Sequence, residues 1–517
     1  MRRYLYVAVF SAGAVTLAAE LSASRLLGNY FGSSNLVWAA IIGLILIYLS
    51  VGYAIGGSWA DRSPQLQTFL TILIWAGFFI GLIPLISRPV LRLASTAFDQ
   101  LNAPVMIGTF LSVLILFCMP IILLGTASPF AIRLALDEKS ETGKTAGRIY
   151  ALSTAGSFVG TFLPDLLLIP LIGTYRTFIV IGLFLVLVCL SILWKTAGVR
   201  KALVFFWMPA VLIILGVLGI RGFDKQADGL IFERESAYNY IQVLEINEFH
   251  LLRLNEGQGI HSIYHPVREN YFGYWEQVLS APFFNQAPVD LDEIKRVAIL
   301  GLAGGTSALQ VKKVFPQAVV DGYEIDPYIV QAGFDYFNLT PETANIFVQD
   351  ARWGIQHNDN VYQIINIDAY NPPYIPWHLT TQEFFNEVYQ RLSDDGAMVI
   401  NVARIYGDRR LVDALYSTIA SVYPSVYIVD IPDTFNSIIF ATKSPTHSDN
   451  LIDNYIQLEQ DPDVHPLLMS ALEITVLNQQ PLPEAGLVFT DDRAPVEWIT
   501  NAMIFNFFSP ENIERIQ

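Results

Sequence analysis

Three acids, Glu324, Asp350 and Asp368, each close a short apolar run. The first follows a turn of small residues, Gly301, Ala303, Gly304 and Gly305. Turn and acid both lie in VAILGLAGGTSALQVKKVFPQAVVDGYEIDP, from Val297 to Pro327. Glycines let a backbone press against a ligand, and an acid about twenty residues further on, at the tip of the next strand, accepts both hydroxyls of a ribose. The chemistry in view is nucleoside binding. A turn that is merely tight explains the glycines but not an acid at that distance.

These residues need a scaffold of strands and helices in alternation. Val297 to Leu300 reads as a strand, the turn opens a helix, and a second strand ends at Glu324. IFVQD (Ile346 to Asp350), YQIINID (Tyr362 to Asp368) and AMVINV (Ala397 to Val402) read as further strands, with a helix through Phe384 to Leu392 before the last. Strands alternating with helices predict a mostly parallel, doubly wound Rossmann-like sheet, with ligands gathered at the strands' carboxyl ends. All three acids fall at such ends. Ahead of this fold, Ser236 to Glu245 reads as a strand and His250 to Leu254 as its hairpin partner, a small β module. The expected domains are a helical membrane bundle over 1–222, the β module over 223–275 and the Rossmann-like domain over 276–517.

Composition divides the chain at the first of these borders. Residues 1–222 carry 15 basic and 7 acidic residues, a net of +8, whereas the remainder carries 16 basic and 40 acidic residues, a net of −24. So acidic a domain is a poor partner for nucleic acid or anionic lipid, and suits cationic ligands or simply solubility. The two cysteines, Cys118 and Cys189, sit in apolar segments and form no disulfide framework.

Apolar segments of spanning length occur at 4–27, 36–59, 68–88, 104–128, 149–172, 175–194 and 202–221, which predicts a multi-pass bundle of about seven spans in the cell's inner membrane. Small residues recur at four-residue spacing (Gly52 and Gly56; Gly156 and Gly160), as close helix contact requires. Glu20 and Asp165 lie within spans, where an acid has either a function or a hydrogen bond to a neighbouring helix. GGSWADR (Gly56 to Arg62) resembles a cytoplasmic loop of major facilitator transporters, although the bundle has about half their helices. Loop charges favour an inside N-terminus. Seven crossings would then deliver the C-terminal domain outside, and one segment that does not cross would keep it inside. The side stays open.

A set of motifs in order carries a resemblance. ESAYNYIQVLE, YWEQVLSAP (Tyr274 to Pro282), GLAGGT, YEIDP, QDA (Gln349 to Ala351), IDAYNPP (Ile367 to Pro373) and LTTQEFF follow one another. Together they resemble the polyamine aminopropyltransferases, typified by spermidine synthase, in the form fused to a membrane bundle. The resemblance covers about residues 230–410. It implies a co-substrate, decarboxylated S-adenosylmethionine or S-adenosylmethionine, and no metal. Gly301, Gly304 and Gly305 would form the donor's turn, Glu324 would hold the ribose, and Asp350 with Ala351 the adenine. Asp368 would take the proton of the attacking amine, since an ammonium has no lone pair and alkylation needs a nearby proton acceptor. Asn239, Tyr274, Glu276 and Asn371 would line the amine end.

The departures bear on substrate. Gly304 stands where the family has its turn aspartate, Asn371 at the second acid of the catalytic loop, Asn239 for glutamine and Trp275 for histidine. A buried, unpaired ammonium costs several kcal/mol, so a polyamine needs compensating carboxylates. Glu276, or Asp491 with Asp492 in TDDRAPVEW, could supply them, or the pair could be a turn. The expected function is a membrane-anchored transfer from an adenosyl sulfonium to an amine. The alternatives are a non-catalytic assembly subunit, as a homodimer or in a membrane complex, and an S-adenosylmethionine methyltransferase.

Overall fold

The computed structural model describes residues 2–31, 35–101, 105–136, 142–219, 225, 227–255, 259–371 and 373–507. They form two compact units, one of residues 1–226 with 235–240 and one of 227–234 with 241–517.

The first unit is helical. Among the described residues, six helical stretches are long and apolar enough to cross a membrane. The fifth, Thr142–Ala197, is 56 residues long, far more than the roughly 20 that a bilayer core needs. It is two legs. A π-helical turn at Pro164–Leu168 is followed by a break at Gly173, whose φ of 80° only glycine adopts at ease. In the first leg Gly156 and Gly160 abut Phe10 and Ala14, so it runs parallel to the helix Arg2–Phe31. The second starts with Tyr175 against Tyr30, at that helix's far end. It then passes Gly77 with Gly182 and returns antiparallel to the helix Leu66–Leu101. Asp165 lies in the π-helical turn, and the Thr174 N–H freed by the break is bound by Glu235 at 2.7 Å. Gly52 and Gly56 abut Ile122 and Thr126, as their spacing predicts.

The second unit holds two sheets. The smaller runs β1 (Leu230–Glu235), β2 (Tyr240–Ile246), β3 (Phe249–Leu254) and β4 (Ile260–Tyr264) in that order. The hairpin of β2 with β3 is in place, Ile241 opposite Leu254. The strand expected from Ser236 starts only at Tyr240. The Ser236 hydroxyl accepts the N–H groups of Tyr238 and Asn239, and this local bonding makes a turn instead.

The larger sheet comprises β5 (Arg296–Leu300), β6 (Val319–Glu324), β7 (Asn345–Val348), β8 (Tyr362–Ile367), β9 (Leu392–Ala403), β10 (Ser425–Asp430), β11 (Asn436–Thr442) and β12 (Gln479–Gln480). Their order is β12-β10-β11-β9-β8-β5-β6-β7. Strands β5 to β9 are parallel, whereas β11 enters antiparallel between β9 and β10. The central strands are buried on both faces, as their uninterrupted apolar runs require. The sheet order reverses between β5 and β8, which puts a crevice at their carboxyl ends.

Candidate active site

The crevice begins at the turn after β5. Gly301 has a φ of 97°, and a Cβ there would meet the carbonyl carbon of Asp368 at 2.6 Å. Only glycine lets the two strand ends come this close. The Asp368 N–H donates to the Leu300 carbonyl at 2.8 Å, which fixes the approach. Gly305, with a φ of 94°, precedes the helix Thr306–Val314.

Glu324 ends β6 beneath this turn. Its carboxylate accepts the N–H of Ala303 at 3.0 Å and that of Asp326 at 3.0 Å. Burial pushes its pKa up to about 7 against those bonds. One oxygen thus ties the acid to the glycine turn, and each oxygen retains a second lone pair. Beyond β7, Asp350 caps the helix Ala351–Gln356 by accepting the Trp353 N–H at 2.9 Å, and Ala351 is buried as its first residue. His378 lies 3.0 Å from the other Asp350 oxygen, and that hydrogen bond holds the acid below its ordinary value.

Asp368 follows β8. Asn401 of β9 donates to its Oδ1 at 2.9 Å. Burial of the carboxylate raises its pKa to about 7, and the Asn401 bond lowers it only in part. The phenols of Tyr274 and Tyr370 are raised by burial first and then by the negative charge of Asp368. Neither donates to it. Tyr274 gives its proton to the Ile260 carbonyl at 2.8 Å, and Tyr370 to the Asn401 carbonyl at 3.0 Å.

The remaining acids proposed for the amine end are already engaged. Glu276 is 1% exposed and accepts from the Tyr271 N–H, the Gly273 N–H and the Gln310 amide. Asp491 sits in the turn Thr490 to Arg493, where it binds Arg352 at 2.8 Å and the Thr381 hydroxyl at 2.7 Å. Gly304 is buried. Its N–H donates to the Ser262 hydroxyl at 2.8 Å, and a Cβ would meet Ser262 at 3.0 Å and Phe337 at 3.1 Å. An aspartate there would need Ser262 and Phe337 to give way by a few tenths of an ångström. Asn371 is exposed and closes a turn with Tyr374, while Pro372 lies outside the described residues. Asn239 belongs to the segment grouped with the helical unit, and its N–H is bound by Ser236.

Asn401, His378, Ser262 and Arg352 were not singled out from the sequence. An asparagine within the apolar run MVINV is the one local signal among them. Each of the others lies in an unremarkable loop, strand or short helix.

No protein-family model matches the chain. A "Probable polyamine aminopropyl transferase" of Bifidobacterium longum is 29% identical over 292 residues, 54% of this chain and 64% of that relative. The chain thus spans under two thirds of that protein. A polyamine aminopropyltransferase of Vibrio vulnificus is 28% identical over 295 residues, 55% of this chain and 91% of the relative. Among solved structures, a probable spermidine synthase from Corynebacterium glutamicum aligns at a TM-score of 0.39 and 18% identity, over 46% of this chain and 89% of the other.

Proposed function

We propose that this chain, a spermidine synthase-like family member, transfers an alkyl group from an adenosyl sulfonium to an amine, with Asp368 as the base. The observation that carries this reading is the state of Asp368. It is a half-buried carboxylate with one oxygen held by Asn401, a pKa of about 7 and no donor on its second oxygen among the described residues. A base poised near neutrality balances readiness to accept a proton against the strength to pull it. In the reaction the amine lone pair attacks the carbon bound to sulfur. The carbon–sulfur bond breaks, its electrons neutralise the sulfonium, and the amine's proton passes to Asp368. Transfer from decarboxylated S-adenosylmethionine leaves methylthioadenosine.

Glu324 would bind the ribose hydroxyls with its remaining lone pairs, and the His378–Asp350 pair would meet the adenine. The acceptor should carry fewer charges than a typical polyamine. Glu276 and Asp491 are spent on the protein's own donors, and Gly304, crowded by Ser262 and Phe337, brings no carboxylate. Putrescine should therefore be a poor acceptor. The helical unit anchors the chain in the inner membrane, its apolar legs supporting that reading, and protease accessibility in oriented vesicles tests on which side the C-terminal unit lies.

The decisive experiment is calorimetric titration of the full chain in nanodiscs with methylthioadenosine, decarboxylated S-adenosylmethionine and S-adenosylmethionine, followed by product analysis with each donor and a panel of amines. Binding with transfer supports the reading. Formation of S-adenosylhomocysteine would make it a methyltransferase instead. Nucleoside binding without transfer would favour a non-catalytic subunit, the reading to which the engaged Glu276 and Asp491 also lend weight. Absence of nucleoside binding would overturn the proposal.

A further inference from the structure

We propose that Asn401, oriented by Asn436, is a positioning residue for Asp368: it occupies Oδ1 and so directs the substrate's proton to Oδ2. This rests on the reading of Asp368 as a base. Strands β8 and β9 are parallel, with Ile367 opposite Ile400, so the residue after each, Asp368 and Asn401, meet at the carboxyl end of β8. Asn401 is 5% exposed, and every polar atom of its side chain has a partner. Its Nδ2 donates to Asp368 Oδ1 at 2.9 Å, and its Oδ1 accepts from Asn436 Nδ2, on the neighbouring β11, at 2.8 Å.

The order of donors follows from the chemistry. An ionised carboxylate only accepts, so the end of the Asn401 amide that faces it must be the NH₂ group. The carbonyl end then needs a donor, and Asn436 supplies it. Flipping the Asn401 amide would break both bonds at once. Tyr370 strengthens the arrangement from the side. It donates to the backbone carbonyl of Asn401 at 3.0 Å and accepts the Ala403 N–H at 2.9 Å, so its proton is unavailable to Asp368. One oxygen of the acid is thereby tied back into the sheet, and the other is the one that can take up a proton. The Asn401 bond also opposes the burial that raises the acid, so its loss should move the titration of Asp368 further towards alkaline pH.

Two variants of the full chain test this. Asn401→Leu removes the donor, and Asn436→Ser removes the group that orients it. Asn401→Leu should lower turnover about tenfold to a hundredfold, the range for losing a hydrogen bond to a charged group, and shift the acidic limb of the pH–rate profile upwards. Asn436→Ser should shift it in the same direction by less, and methylthioadenosine affinity should stay the same in both. A merely structural role would lower turnover or stability and leave the limb in place, which overturns the proposal. ¹³C NMR of aspartate-labelled protein without substrate, with Asp368→Asn identifying the resonance, follows the acid directly. That titration should rise in both variants even if no amine is ever found to react, so it separates this inference from the proposed function. An Asp368 titration unchanged in Asn436→Ser would overturn it.

Discussion

Glu276 and Asp368 are two acids of the same unit, the first buried and the second half-buried, and their surroundings give them opposite tasks. Glu276 is enclosed by donors that belong to the protein, two backbone N–H groups and the Gln310 amide, and it ties the loop before Trp275 to the helix Thr306–Val314. Among the described residues Asp368 has one such donor, Asn401, and keeps an oxygen open. Burial raises the pKa of both. A raised pKa therefore does not distinguish the working acid from the structural one. Unspent hydrogen-bonding capacity beside the strand-end crevice does.

The strongest way to break this comparison is to neutralise each acid in turn. Asp368→Asn should reduce turnover by about a hundredfold to ten-thousandfold, the usual worth of general-base catalysis, while methylthioadenosine binding stays nearly intact. Turnover of the parent should rise with pH through about 7, because the ionised form is the acceptor. Stability should respond in the opposite sense. The folded-state pKa lies above the ordinary 3.8, so the acid's contribution is fully present below that value and lost as pH rises through about 7. Asp368→Asn should therefore be more stable than its parent above about pH 8 and no different below about pH 4. Thermal melts across pH measure this, and equal melting behaviour at high pH would contradict the burial of the charge. Glu276→Ala should leave three buried donors without an acceptor and cost about 3 kcal/mol or more of stability, with the loss read in denaturation.

The comparison also marks where sequence reading succeeds. The parallel strands β5 to β9 are legible because apolar runs between turns have few other uses, whereas β10 to β12 were not read from the sequence. The glycine turn with Glu324 is legible because its spacing is local. Which acids are free is not legible, because their partners come from distant parts of the chain. Asp491 is claimed by Arg352, 139 residues away, and Asp368 by Asn401, 33 residues away. Gly304 shows the same limit at one position. Its place in the motif suggests a lost amine ligand, but the direction of its missing side chain, into Ser262 and Phe337, is a property of the folded sheet. In the helical unit the two apolar segments at 149–172 and 175–194 were visible, whereas the means of turning between them, Gly173 with Thr174 capped by Glu235, depends on a residue 61 positions later.

Glu324 lies between the two extremes, since it both fixes the turn and retains lone pairs. Glu324→Ala should weaken methylthioadenosine binding by at least about tenfold, as the loss of a charge-assisted hydrogen bond implies. Calorimetry with parent and variant checks it. Equal affinities would place Glu324 with Glu276, as an acid whose whole task is to hold backbone.

The smallest effect is expected at Asp491. Its partner Arg352 also binds Glu387 with two hydrogen bonds of 2.8 Å, so losing Asp491 leaves the guanidinium paired. The Asp491 side chain is 40% exposed, and water screens such a pair. Asp491→Asn should cost no more than about 1 kcal/mol of stability, and the KM for the amine should stay within about twofold of the parent's, the range of a surface substitution. The neighbouring Thr381 hydroxyl, which caps the helix Gln382–Arg391, can still donate to the amide oxygen, so the turn should persist. A tenfold rise in KM at unchanged stability would mean that Asp491 leaves Arg352 to bind substrate. It would then join Asp368 as a working acid, and the number of charges the acceptor can carry would have to be raised by one.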